Sequence, residues 1–401
     1  MTATETIDQP DVWADLVGQE RAVETLKRAV SAAHAARRST DAALDDLRSM
    51  THAWLLTGPP GSGRSLAARA FAAALECPDQ GCGRCETCRT AVSGAHPDVT
   101  LCRTEQLSIG IGEVRELVLK AAMSPFTGPW QIIVVEDADR LTDNAADGLL
   151  RSLEEPPPRT VWVLCAPSGD DLIATIRSRT REVRLVTPPD AAVIEVLTRR
   201  DGIPHEAALV AARAAQGHIG KAKTLATSDE ARQARSRIID LPTQWTSLSA
   251  CLMSAAEVVS AAQAEAAAQT AELDAAERAE LDLVLGFGTK GARPRNAATA
   301  VSQLEDQQKA RAKRLQRDAI DHVLTELATW YRDVLALQIG APEAELINTG
   351  LADRAKATAA ATSAERTTAC LDAISGARRA IDGNVAPQLA VEALFIQLAG
   401  C

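Results

Sequence analysis

The sequence predicts an α/β domain, a parallel sheet covered by helices on both faces, followed by a largely helical second half. Three observations predict it. Short apolar runs suited to buried strands, at 54–56, 99–102, 131–135 and 160–165, alternate with helix-period segments between residues 53 and 186. The first run enters a Gly/Pro-rich turn from which a helical stretch, 66–76, leaves, giving WLLTGPPGSGRS at 54–65. From about residue 235 onward the chain is alanine-rich and helical by period.

Composition bounds what such a chain does. Its 401 residues suffice for two or three domains with sizeable cores. A formal charge of -10 excludes a protein that wraps nucleic acid over its whole surface, so any DNA contact is local. Aromatics make up only 3%, which points to packing through small aliphatic faces rather than stacking on bases. No apolar stretch of membrane-spanning length occurs, and the start, MTATETIDQP, lacks a charged-then-apolar signal, so a soluble cytoplasmic protein without membrane contact is expected. Nine cysteines, an odd number, suit a reducing compartment and metal binding.

In chain order, residues 1–11 read as a disordered polar N-terminus, and the α/β domain is placed at 12–188. Trp13, Leu16 and Val17 precede Gly18-Gln19-Glu20 and an amphipathic helix. In the loop, Gly58, Gly61 and Gly63 let backbone N–H groups curl around phosphate oxygens, with the positive end of the next helix behind them. Ser65 stands where a hydroxyl meets Mg²⁺. The pattern GxxxxGK[ST] is met except at its lysine, which is Arg64. A planar fork does not simply replace a compact ammonium, so ATP or ADP can bind while hydrolysis, and a catalytic Mg²⁺, are not expected.

Cys77, Cys82, Cys85 and Cys88 follow, a C-x₄-C-x₂-C-x₂-C run punctuated by Gly81 and Gly83. Four thiolates at these spacings close a tetrahedron around Zn²⁺ with no open position, so residues 77–88 are expected to form a structural zinc module. The remaining cysteines read as bystanders. After His96-Pro97-Asp98 and a helix at 111–122, the run 131–135 ends in Glu136-Asp137. A buried strand delivering carboxylates at its C-terminal edge suits Mg²⁺ and water activation, but the usual Asp-Glu order is reversed, which displaces both groups by about a methylene. A helix at 143–155 is stopped by Pro156, Pro157 and Pro158, and Ile176-Arg177-Ser178-Arg179-Thr180 closes the region.

Pro188-Pro189-Asp190 marks a boundary, with Asp190 read as the cap of the next helix. Three short helical segments follow to about 228, and the second domain is divided into 189–232 and 233–401. Two long helices, 248–285 and 297–339, flank a loop at 286–296, and a last pair spans 363–383 and 386–399. The basic cluster Lys309, Arg311, Lys313, Arg314 and Arg317, with Lys290, Arg293 and Arg295, reads as a solvated face interleaved with acids, a DNA or neighbour contact being the alternative.

Taken together, VGQE, GPPGSGRS, the four cysteines, HPD, LLRSLEEPP and TIRSRT resemble, in order, the clamp-loader branch of the AAA+ proteins, within the bacterial DNA polymerase III holoenzyme. The resemblance is specific over residues 13–225 and general beyond them. It implies an AAA+ domain with an inserted zinc module, a small helical lid at 189–232 and an all-α collar at 233–401. It implies gamma/tau and delta subunits as ring partners, with the sliding clamp and primer-template DNA reached through the complex. The Ser-Arg-Cys motif falls on Ser178-Arg179-Thr180, which makes Arg179 an arginine finger acting in trans. Active members carry lysine at Arg64, an Asp-Glu pair at Glu136-Asp137, a polar sensor near Ala166-Pro167 and a lid arginine near Gly220. These departures imply a non-hydrolysing, stationary subunit. Two rivals stay open: a gamma/tau-type ATPase that uses Arg64 unconventionally, and a zinc-containing DNA-binding module outside replication.

Overall fold

The computed structural model describes residues 11–38, 49–104, 106–285 and 297–400. The expected polar N-terminus up to residue 10, the 286–296 loop with Lys290, Arg293 and Arg295, and Cys401 lie outside the described residues. The chain forms two compact units, residues 1–104 with 108–226, and residues 105–107 with 227–401.

The first unit holds a five-stranded parallel sheet. Its strands are β1 (Ala53–Thr57), β2 (Val99–Cys102), β3 (Gln131–Val135), β4 (Thr160–Ala166) and β5 (Arg181–Arg184), ordered β2-β3-β4-β1-β5. β1, β3 and β4 are buried at every residue, which is why they read as unbroken apolar runs. β5 is an edge strand whose sequence REVR turns only Val183 inward, so no apolar run announces it.

Helices α1 (Glu20–Arg38) and α2 (Arg64–Glu76) pack on one face, where Trp54 and Phe71 meet edge-on at 5.2 Å. α2 is alanine-rich because its whole body is covered; Ala67, Ala68, Ala70, Phe71 and all residues from there to Glu76 are buried. α3 (Glu86–Ser93) follows it. The opposite face carries α4 (Ile111–Ala121) and α5 (Asp143–Glu154), with Ile109, Val114, Leu149 and Trp162 at the centre of a second apolar layer. A short α6 (Ala174–Arg177) precedes β5.

Three helices complete this unit: α7 (Asp190–Arg199), α8 (His205–Ala215) and α9 (Ile219–Thr227), around Val193, Leu197, Ala208 and Ala212. Asp190 does not cap α7. Pro189 holds the N-cap position, and Asp190 sits in the first turn, where its charge complements the helix N-terminus.

The second unit is helical among its described residues: α10 (Asp229–Asp240), α11 (Leu248–Val284), α12 (Ala297–Gln338), α13 (Ala352–Ala361), α14 (Ala364–Asp382) and α15 (Pro387–Gly400). Small residues Ala255, Ala262 and Ala266 let α11 lie close to its neighbours, and Trp245 stacks on Phe395 at 4.5 Å. Beneath the core a polar knot joins elements: Arg235 Nε donates to Glu326 at 2.8 Å, and Asp333 accepts from Ile347 N and Asn348 N at 2.9 and 2.7 Å. Both carboxylates are fully buried, so each depends on these donors. Three arginines of the basic cluster on α12 are held internally: Arg311 reaches Asp274 and Glu277, Arg314 reaches Asp318, and Arg317 donates to Asn384.

Candidate functional site

The loop between β1 and α2 is built by its glycines. Gly61 and Gly63 have φ of +84° and +89°, a left-handed backbone that disfavours any side chain. Gly61 is also covered. A Cβ there would lie 2.7 Å from His218 Cβ and 2.9 Å from His218 Cα, where the turn into α9 crosses the loop. Gly63 caps α2 with no side-chain acceptor, so the first amides of that helix point into the loop without a capping partner.

Residues named from the sequence occupy this turn. Gly58 N donates to Pro167 O at 3.1 Å, tying the start of the loop to the end of β4. Arg64 Nη1 donates to Gly58 O, so the guanidinium is turned onto the loop's own carbonyl. Ser65 lies in the first turn of α2. Gln19, from the VGQE segment, is buried and locks the loop to the end of the sheet: its Nε2 donates to Ser62 O at 3.1 Å and Val186 O at 2.6 Å, while Val186 N donates to Oε1 at 3.0 Å. Sequence reasoning placed this segment but not its bonds, because the acceptor at Val186 lies 167 positions away.

Glu136 and Asp137 follow β3, as expected for a strand that ends in carboxylates. Glu136 is buried and accepts from Arg69 Nε at 2.9 Å and Nη2 at 2.7 Å, both on Oε1. Arg69 was not anticipated. Its signal in the sequence is its spacing, one helical turn after Ser65 on the same face of α2. Asp137 begins a 3₁₀ turn, Ala138–Arg140, and burial pushes the Asp139 carboxyl up from its ordinary range. At the two positions read from the sequence as lacking a sensor, Ala166 ends β4 with Pro167 after it, and Gly220 lies in α9 beside the His218 ring.

The four cysteines converge. Cys77 closes α2, left-handed Gly81 and Gly83 fold the chain back, and Cys85 caps α3, accepting from Cys88 N at 3.3 Å. The four sulfurs lie within 4.8 Å of one another, with Cys77 Sγ 3.8 Å from Cys82 Sγ and 3.7 Å from Cys85 Sγ. A tetrahedral zinc with Zn–S of about 2.3 Å requires sulfurs about 3.8 Å apart, so the donor set fits. Backbone N–H groups of Arg84 and Cys85 draw the Cys82 thiol down to about 6, whereas burial pushes Cys85 and Cys88 up.

Beside this cluster lies an unanticipated one, Glu76, His96 and Asp98. Asp98 accepts from the amides of Phe126, Thr127 and Gly128 at 2.5, 2.7 and 2.6 Å and from Thr127 Oγ1 at 2.9 Å, which fixes the loop before β3. Although burial opposes ionisation, these donors hold its carboxyl below the usual range. Glu76 is buried with no hydrogen bond to either carboxyl oxygen, and desolvation, reinforced by Asp98, pushes it up to about 8.

Arg179 follows α6 and is half-buried. Its Nε donates to Glu154 Oε1 at 2.6 Å and its Nη1 to Thr175 O at 2.8 Å, so the end of α5 holds it in place.

The architecture sets the class: a parallel α/β domain in which a strand inside the sheet leads through a glycine-rich turn into a buried helix, with two acids at the end of β3, one strand removed across β4. Residues 43–189 match the family described as DNA polymerase III, delta subunit. Among curated relatives, the chain is 34% identical over 184 residues to DNA polymerase III subunit delta' of Escherichia coli, covering 44% of this chain and 55% of that one. It is 31% identical over 195 residues to the subunit delta' of Bacillus subtilis, 48% and 59% of the two chains. It is 27% identical over 175 residues to the tau subunit of Bacillus subtilis, 43% and 28% of the two. Over this region the chain is similar to delta-prime clamp-loader subunits of DNA polymerase III. It spans a little over half the length of the first delta' relatives it matches.

Proposed function

We propose that this chain is a non-hydrolysing, stationary subunit of a clamp loader, which helps to place the sliding clamp on primer-template DNA and lends Arg179 to the nucleotide of an adjacent gamma/tau-type subunit. The observation that carries the first half is Arg64. The residue at the lysine position donates to Gly58 O of its own loop, and His218 covers Gly61, so the seat for a β- or γ-phosphate is lined by groups already engaged. ATP or ADP bound here would not be split.

In this reading residues 12–188 are the AAA+ module, 189–232 its lid and 233–401 the collar that joins gamma/tau and delta subunits in a ring, in the cytoplasm. Cys77, Cys82, Cys85 and Cys88 would hold Zn²⁺, which with four thiolates supplies folding energy rather than a reactive water. Arg179 lies just beyond α6, half-buried and held by Glu154 and Thr175 O, and its reading as a donor in trans rests on the match of Ser178-Arg179-Thr180 to the family motif. A fixed guanidinium beside a transferring phosphate is worth about 10³–10⁵ in rate in known systems.

The test is a comparison of the isolated chain with a complex assembled from gamma/tau, delta and this chain. The isolated chain is expected to show no ATP turnover with clamp and primed DNA present. With Arg179→Ala, the complex is expected to assemble normally but lose DNA-stimulated ATPase and clamp loading. Turnover by the isolated chain would favour the gamma/tau-type reading, and unchanged turnover by the variant complex would remove the finger.

A further inference from the structure

Glu136 stands where the metal-holding carboxylate is expected, and in the fold it already has a cation. Arg69 projects from α2 one turn beyond Ser65 and places two N–H groups on Glu136 Oε1, at 2.9 and 2.7 Å. The Glu136 side chain is only 5% exposed and that of Arg69 30%, so the pair sits where charges are weakly screened.

We infer that Arg69 bars a divalent cation from this loop, so that any nucleoside phosphate taken there is taken without Mg²⁺. The inference rests on the reading of residues 54–65 as an inherited nucleotide site. Its physical basis is independent of nucleotide occupancy. Mg²⁺ gives up its waters reluctantly, and beside the substrate's own phosphates it relies on an anionic carboxylate of the protein. Here that anion is neutralised by a guanidinium held on a rigid helix, and a dication beside it meets like-charge repulsion. Arginine cannot shed its proton to make room. Arg64, at the head of the same helix, adds a second fixed positive charge to the seat.

The experiment uses the full-length, zinc-loaded chain titrated with Mn²⁺ and followed by electron paramagnetic resonance, with and without ATP. The wild-type chain is expected to take up no Mn²⁺ that Glu136→Gln removes. Arg69→Gln keeps an N–H for Glu136 but drops the charge, and is expected to gain Mn²⁺ affinity by about tenfold or more. Glu136→Gln in the same chain should abolish that gain. Uptake by the wild type that Glu136→Gln abolishes overturns the inference, as does a folded Arg69→Gln variant with no gain. Should Arg69→Gln not fold, the wild-type and Glu136→Gln pair still decides. Failure of the clamp-loader reading would appear in the assembly assay, which does not depend on Mn²⁺.

Discussion

Gly61 shows how much one position in the phosphate loop carries. Its backbone is left-handed and the backbone of His218 stands 2.9 Å from where a side chain would begin, so Gly61→Ala meets both strain and collision. The expected loss is about 2 kcal/mol or more, read from denaturant midpoints. Gly112→Ala is the control: that residue lies in α4 with nothing within 4 Å of a new Cβ, and the change is expected to be neutral or stabilising by up to about 1 kcal/mol. At this scale the sequence was legible where a residue type has one main use. The glycines lie in the turn, Ser65 in the first turn of α2 and the four thiols in one cluster. Arg69 and Gln19 were not legible, because their partners Glu136 and Val186, just past the ends of strands, lie 67 and 167 positions away and no local pattern encodes such a pairing. Glu76 was hidden for a different reason: a carboxylate at the end of an alanine-rich helix reads as a solvated end, yet here it is buried.

Among elements, the buried strands β1, β3 and β4 could be read almost residue for residue, since a strand covered on both faces must be apolar throughout. β5 escaped because an edge strand has only one buried position, and α3 escaped because its start is shared with two metal-type cysteines. The segment from Cys77 to Ser93 is predicted to depend on metal. A strong chelator, or Cys85→Ser, should raise amide exchange across α3 while leaving β3 and β4 protected, and added Zn²⁺ should reverse the chelator's effect but not the substitution's. The Asp98 hub makes a separate prediction. Asp98→Ala leaves the amides of Phe126, Thr127 and Gly128 without their acceptor, and thermal unfolding should report a loss of about 2–4 kcal/mol.

For the whole molecule, Glu154 is the side chain that connects fold to proposed role, because it holds the Arg179 guanidinium. Glu154→Gln should leave the isolated chain's melting temperature within about 2 °C, as an exposed ion pair contributes little. In the assembled complex it should lower ATPase less than Arg179→Ala does, a graded pair that a merely structural contact would not produce. No described helix is long and apolar enough to cross a membrane. The helical half was predictable in outline from period and alanine content, but its internal ion pairs were not. The basic residues of α12 read as a solvated face interleaved with acids, and two of them, Arg311 and Arg314, are indeed paired with acids, Asp274, Glu277 and Asp318, of which the first two lie on another helix. One further consequence follows from α2, a rod of 13 residues and roughly 20 Å that starts at the glycine turn and ends on the first thiol. A peroxide that oxidised the sulfur cluster would loosen the far footing of the same rod that aims Arg64 and Arg69. Chemical damage at one tip of this strut would therefore be felt at the other, without any small molecule passing between them.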